Sequence, residues 1–167
     1  MARDLARVVT VAQQVSDRLS TLGNFNLVPV VVPVADAFWF AHELAAKLDA
    51  VPYDFDAQVV AEMERRGWDR YRAHERAGIR GPTVAVLEAV ASGVSDAADA
   101  GCPVLVHNVN TPAAYGFDAV ADHAYRCSSD RHVVLCLGGS WQAGRIVLHD
   151  RMALMGAGLV QPIVVEE

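Results

Sequence analysis

A chain of 167 residues, 53% of them hydrophobic, is long enough to bury a real core and too apolar for general disorder. We expect a single α/β domain over residues 1–167. A formal net charge of −6 argues against direct binding to nucleic acid. No apolar run reaches the roughly 18 residues of a membrane helix, and the charged amino terminus is unlike a signal peptide. The composition therefore predicts a cytoplasmic protein that does not bind membranes.

The hydrophobic pattern predicts helices alternating with strands. In chain order we expect a helix at 5–22, a strand at 27–34, a helix at 37–48, a strand at 51–55, helices at 57–66, 68–77 and 81–100, a strand at 102–109, a helix at 119–127, and strands at 132–137, 145–149 and 159–165. This order indicates a three-layer fold with a mainly parallel sheet and helices on both faces. The last strands are expected to pair antiparallel at an edge of that sheet.

Two aspartates precede predicted helices. Asp36 comes directly before the helix at 37–48, and Asp56 comes before the helix at 57–66. An aspartate in this position accepts a hydrogen bond from an N–H group of the first helical turn. We therefore expect both residues to be N-caps. Because ligands of open α/β sheets bind beyond the carboxyl ends of the strands, both are also candidate catalytic residues.

The junction between the first strand and its helix has the position of a phosphate loop but not its residues. Such a loop needs glycines, whose N–H groups wrap a phosphate, and a lysine that reaches the outer oxygens. Here Phe38, Trp39 and Phe40 stand where the Gly-Lys-Ser/Thr end would fall. Three consecutive aromatic residues cannot all face one core stripe, so we expect at least one to be exposed or to contact a partner. The alternative is a helix packed on both sides.

The third strand ends in a polar stretch, His107-Asn108-Val109-Asn110. A phosphoryl-transfer ATPase places a magnesium-binding aspartate here, and histidine and asparagine are poor substitutes for it. The two losses together argue against ATP hydrolysis. His107 is a candidate general base, with Asn108 and Asn110 beside it. The alternative is a histidine that is hydrogen-bonded at a strand end.

Three further features of the sequence bear on possible binding sites. The turn Gly138-Gly139-Ser140 is a candidate anion-binding turn, and a plain glycine-rich reversal explains it equally well. The histidines show no metal-binding spacing, and there is no C-x-x-C pair, so no metal or cofactor is expected. The arginines of residues 65–80 alternate with acidic residues, as is typical of a solvated, salt-bridged helix.

The order of elements resembles that of small P-loop ATPase-like proteins of bacterial bacteriophage-exclusion (BREX-type) anti-phage systems. The likeness covers VVVPVADAFWFAHELAAKL, VPYDFD, CPVLVHNVN and CSSDRHVVLCLGGSWQAGRIVLHD. Matched to that family's phosphate loop, Pro33 takes the first glycine, Phe38 the second, Trp39 the lysine and Phe40 the hydroxyl residue. Its acidic pair falls near His107-Asn108. The resemblance thus implies a degenerate member that does not hydrolyse nucleotide.

Three functions follow from these features. The first is a non-catalytic P-loop-like subunit that binds a protein partner or forms a homo-oligomer, in an anti-phage or DNA-handling complex. The second is a small-molecule hydrolase, transferase or ligand-binding domain with its site at the strand ends. The third is a nucleotide sensor that binds through residues 138–140 without hydrolysis. The phosphate-loop residues are missing after the first strand, and the magnesium-binding aspartate is missing at the end of the third. Their absence favours a protein that is not an enzyme.

Overall fold

The computed structural model describes residues 4–21, 26–69, 72–73, 81–97, 101–111, 131–148, 151–153 and 161–165. The helices are α1 (Leu5–Thr21), α2 (Ala37–Leu48), α3 (Phe55–Arg66) and α4 (Gly81–Ser92), the last followed by a 3-10 turn, Gly93–Asp96. The strands are β1 (Leu27–Val32), β2 (Val51–Asp54), β3 (Val104–His107), β4 (Val133–Gly138), β5 (Ser140–Gln142), β6 (Arg145–Leu148), β7 (Arg151–Ala153) and β8 (Ile163–Val164). The helix predicted at 119–127 lies outside the described residues.

Five strands form a parallel sheet in the order β2-β3-β4-β1-β8. Every residue of β1, β3 and β4 is buried except Gly138 at the end of β4, as expected for strands covered on both faces. Alternate side chains of these strands face opposite sides. One side packs against α1 and α2, and the other against α3 and α4. The predicted α/β architecture with a parallel sheet between helices is confirmed.

Among the described strands, the expected antiparallel pairing does not lie at an edge of this sheet. Strand β8 pairs parallel to β1, with Val30 opposite Ile163 and Val31 opposite Val164. The antiparallel pairing occurs in a separate sheet of order β5-β6-β7. Strand β5 begins two residues after β4 ends, and the turn at 143–144 folds β6 directly back on it. These strands therefore pair locally, while β8 covers the edge beside β1.

The two helix caps also differ from the expectation. The side chain of Asp36 makes no cap hydrogen bond to α2. The N-cap of α3 is Asp54, which accepts a hydrogen bond from the N–H of Ala57 at 3.0 Å. Helix α3 begins earlier than predicted, at Phe55, whose ring is fully buried. Asp56 consequently lies inside the first turn and is free to bond elsewhere.

Candidate functional site

A cleft opens at the carboxyl edge of the sheet, between the turn after β1, the first turn of α2 and the ends of β3 and β4. Its volume is about 190 Å³. The residues that line it are Val34, Ala37, Phe38, Asn108, Val109, Asn110, Cys136, Gly138 and Leu148. All nine are uncharged, and polar groups come mainly from the two asparagines. We call this space the edge cleft.

Two amides of the turn between β1 and α2 are bonded back into the turn and are not available to a phosphate. The N–H of Asp36 donates to the carbonyl of Pro33 at 3.0 Å, and the N–H of Ala37 donates to the carbonyl of Val34 at 3.3 Å. Strand β1 ends at Val32, two residues before the predicted end, because Pro33 has no N–H group with which to extend the ladder. Amides bonded back into the turn cannot wrap a phosphate.

The three aromatic residues at the start of α2 have different environments. Phe40 is buried, and Trp39 packs partly buried against the core on the α1 side. Phe38 keeps 61% of its surface exposed and lines the edge cleft. The expectation that at least one of them would be exposed is therefore confirmed. Val34, 56% exposed, lies beside the same opening.

The polar residues after β2 and β3 form one hydrogen-bond network. The side-chain amide of Asn108 donates to Asp54 at 3.0 Å, and that of Asn110 donates to the side-chain oxygen of Asn108 at 2.5 Å. Asp56 accepts from the N–H groups of Asn110 at 3.2 Å and Thr111 at 2.9 Å. The network joins the exit of β3 to the start of α3. Three of the predicted site residues, Asp56, Asn108 and Asn110, thus lie together. The hydrogen bonds that they make hold the two segments in place.

Asp36 does not join this group. It lies in the turn between Val34 and Ala37 and is not among the residues that line the edge cleft. The carboxylate that acts on the candidate base is instead that of Asp54, which stands opposite His107 in the register of β2 and β3. Asp36 and Asp56 were predicted as site residues, and Asp54, at the same strand end as Asp56, was not, because the register that places Asp54 opposite His107 has no local signal.

His107 is buried at the end of β3, with 2% of its surface exposed, and its Nδ1 atom has no hydrogen-bond partner among the residues that the structure describes. The ring centroids of His42 and Phe38 lie 5.1 and 5.9 Å from that of His107. Burial lowers the pKa of His107, the Asp54 carboxylate opposes this shift, and His42 lowers the pKa further. The imidazole is therefore neutral near pH 7. His42 was not predicted as its neighbour, although it lies one helical turn after Phe38.

The Gly138-Gly139-Ser140 turn is explained by close packing. The N–H of Gly139 donates to the carbonyl of Val32 at 2.8 Å, so it is not available to an anion. A Cβ atom on Gly138 would lie 2.9 Å from that of Ala37, and one on Gly139 would lie 2.3 Å from the carbonyl oxygen of Val147. Neither glycine has the left-handed backbone typical of an anion nest. The geometry therefore favours a plain glycine-rich chain reversal over an anion-binding turn.

Other candidate interactions give no additional site. In the part of the chain that the structure describes, no three His, Cys, Asp or Glu side chains are grouped to hold a metal ion. No helix within the described ranges is long and apolar enough to cross a membrane. At the end of α3, Arg65 and Arg66 both bind Glu62, at 2.7 and 2.5 Å, which is the salt-bridged surface that the sequence predicts there.

Comparison of the chain with models of known protein families, with curated proteins and with solved structures finds no match.

Proposed function

We propose that this protein works by binding a protein partner at the edge cleft, without hydrolysing nucleotide. The resemblance of its element order to BREX-type P-loop proteins favours an anti-phage or DNA-handling complex as the setting. The observation that carries the proposal is the exposed phenylalanine at the position of the phosphate loop. Phe38 lines the cleft and is 61% exposed, and in the resemblance to P-loop proteins it takes the place of a phosphate-loop glycine.

The bonding around the edge cleft supports binding rather than catalysis. The oxygens of Asp56 accept two backbone N–H groups, and Asp54 caps α3 while it holds Asn108. His107, the candidate base, is buried and is not among the residues that line the cleft. An exposed aromatic side chain beside an apolar depression is a common form of interface anchor.

The proposal is tested with Phe38→Ser and, as a matched control, Leu5→Ser, which changes an exposed residue of α1 (52% exposed) on another element. Each variant and the wild type are tagged, purified from the native host with their partners, and compared by quantitative mass spectrometry. We expect the wild type to bind at least one stoichiometric partner or to self-associate when measured by light scattering, and we expect that association to be lost with Phe38→Ser and kept with Leu5→Ser. Equal recovery with both variants would contradict the proposal.

A thermal-shift measurement tests the absence of a nucleotide site. We expect no stabilisation by ATP, ADP or GTP, with or without Mg²⁺. A ligand at one hundred times its dissociation constant stabilises a protein by about 2.7 kcal/mol, which such an assay detects easily. A clear shift with any of the nucleotides would restore the nucleotide-sensor hypothesis.

A small-molecule-binding domain is the second candidate, and the unpartnered Nδ1 of His107 favours it. Buried polar atoms are usually hydrogen-bonded, so an orphaned one is a candidate contact for a ligand. This candidate predicts that a metabolite library contains a compound that stabilises the wild type and not His107→Gln. The failure of every compound in the library would leave partner binding as the better proposal.

A further inference from the structure

Phe38 belongs to a cluster of three rings in which the other two are histidines. The ring centroid of His42, one helical turn later on α2, lies 4.6 Å from that of Phe38. The ring centroid of His107 lies 5.9 Å from that of Phe38 and 5.1 Å from that of His42. Phe38 and His42 are exposed, and His107 is buried. The exposed anchor therefore packs on two side chains of the type whose charge changes between about pH 5 and pH 8. We call these three residues the ring cluster.

A positive charge on His107 would be only partly compensated. Asp54 faces His107 across the register of β2 and β3. The hydrogen bonds from Ala57 and Asn108 to this carboxylate are both made to Oδ1. Burial lowers the pKa of His107, Asp54 opposes that shift, and His42 adds to it. The neutral imidazole is therefore the form that suits the ring cluster as it is packed.

The other described neighbours of the two histidines bring no further charge to the ring cluster. Beyond the pair of Val106 with Leu135, strand β4 continues to Cys136, which is level with His107. Burial raises the pKa of the Cys136 thiol to about 12, so the thiol is neutral. The residues three and four positions from His42 along α2 are all uncharged: Phe38, Trp39, Ala45 and Ala46. Two protonated histidines would thus repel each other beneath an apolar ring, with Asp54 as the acidic group that faces them.

We propose that mild acid releases the partner from the edge cleft, with His42 and His107 as the groups that take up the protons. This inference rests on the proposed function. A partner that covers Phe38 also covers His42, because the two rings lie side by side on α2 and both are exposed. A cationic imidazole that is covered loses its hydration, so the partner binds best when both histidines are neutral. Each proton that must leave on binding then lowers the affinity by up to about tenfold per pH unit, once the pH is below the pKa of the group that loses it.

The first measurement follows Phe38 in the full chain alone. The five phenylalanines are replaced by para-fluorophenylalanine, and the fluorine NMR signal of Phe38 is assigned by its absence from Phe38→Leu. We expect this signal to shift between about pH 8 and about pH 5 and to stop shifting in the double variant His42→Asn, His107→Gln. His42→Asn alone, a change at an exposed position, should remove part of the shift.

The matched control for this measurement is His132→Gln, which changes a half-buried histidine that directly precedes β4. It should keep the wild-type shift of the Phe38 signal. The inference is overturned if the signal of Phe38 stays constant over this pH range. It is also overturned if the signal shifts equally in the wild type and in both the single and the double variant.

The second measurement uses a partner that is recovered with the wild type and lost with Phe38→Ser. This partner is purified and titrated against the immobilised full chain at about pH 7.5, 6.5 and 5.5. We expect its dissociation constant to rise at least about tenfold over this range, and the rise to be smaller in His42→Asn and smallest in the double variant. His132→Gln should follow the wild type.

The outcomes separate this inference from the proposed function. If the partner binds equally at the three pH values, or if the variants of the ring cluster keep the full pH dependence, the inference is wrong and partner binding at the edge cleft stands. If no partner or self-association depends on Phe38 at about pH 7.5, the proposed function fails, and the release of a partner by acid fails with it even where the Phe38 signal titrates.

Discussion

Replacement of Asp56 by alanine tests the network that joins β3 to α3. The substitution removes the acceptors for the N–H groups of Asn110 and Thr111, at 3.2 and 2.9 Å. Hydrogen bonds to charged groups contribute about 1.5–3 kcal/mol each, and neutral ones about 0.5–1.5 kcal/mol. Because Asp56 is half-buried and water can replace part of the bonding, we take the lower range. The two bonds together then contribute about 2 kcal/mol to the free energy of unfolding.

The matched control is Asp36→Ala, since Asp36 also lies at a strand-to-helix junction but makes no cap bond. Asp36 is half-buried like Asp56, and substitutions that remove no specific bond usually change stability by about 0.5 kcal/mol or less. For a chain of this size, about 2 kcal/mol corresponds to a fall in Tm of roughly 4–8 °C. Asp56→Asn keeps one acceptor oxygen and should lose about half as much.

Urea unfolding followed by circular dichroism measures all three variants, with the slope m expected to stay unchanged. The stabilising role of these two bonds is refuted if Asp36→Ala destabilises the protein as much as Asp56→Ala does. It is also refuted if the free energy of unfolding of Asp56→Ala lies within about 0.5 kcal/mol of that of the wild type, a difference close to the error of the assay. Either result would mean that these hydrogen bonds do not stabilise the folded state.

Two further substitutions address the buried histidine and the glycine turn. The pKa of His107 is lower in the folded state than its ordinary value of about 6.5. The contribution of the neutral imidazole to the free energy of unfolding is therefore complete above about pH 6.5 and is lost as the pH falls towards the folded-state pKa. The stability of the wild type relative to His107→Gln should therefore decline between about pH 7.5 and pH 5 in urea unfolding, and a constant difference would contradict the assignment. Gly139→Ala brings a Cβ within 2.3 Å of the Val147 carbonyl oxygen and should destabilise the protein by about 1–3 kcal/mol or more. Ser140→Ala, an exposed neighbour, is the control, and equal stability of the two variants would show that the turn relaxes freely.

The sequence by itself determined the elements whose pattern is local. Strands β1 and β4 were predicted to within two residues, because nearly every side chain in them is apolar and buried. Helix α2 was predicted with its exact bounds, since its hydrophobic period and its flanking residues are contiguous. The missing glycines and lysine of a phosphate loop could also be read directly, because that chemistry demands particular residue types at fixed spacing.

The predicted N-cap of α3 was wrong because two nearby aspartates both fit the cap pattern. Asp56 fits the N-cap pattern of α3 as well as Asp54 does, and the burial of Phe55 decides between them. Once Phe55 enters the core as the first helical residue, Asp54 becomes the cap and Asp56 turns towards the exit of β3. The outcome depends on a core contact that no cap pattern contains.

The tertiary structure alone decided which distant residues meet. The position of β8 beside β1, the bond between Asp54 and Asn108, and the packing of His42 against His107 all join segments far apart in the chain. Periods of 2 and 3.6 residues encode which face of an element is buried, but they carry no information about which element covers that face. Strand order and register supply that information, and so the edge cleft, with Phe38 exposed beside a buried neutral histidine, exists only in the folded chain.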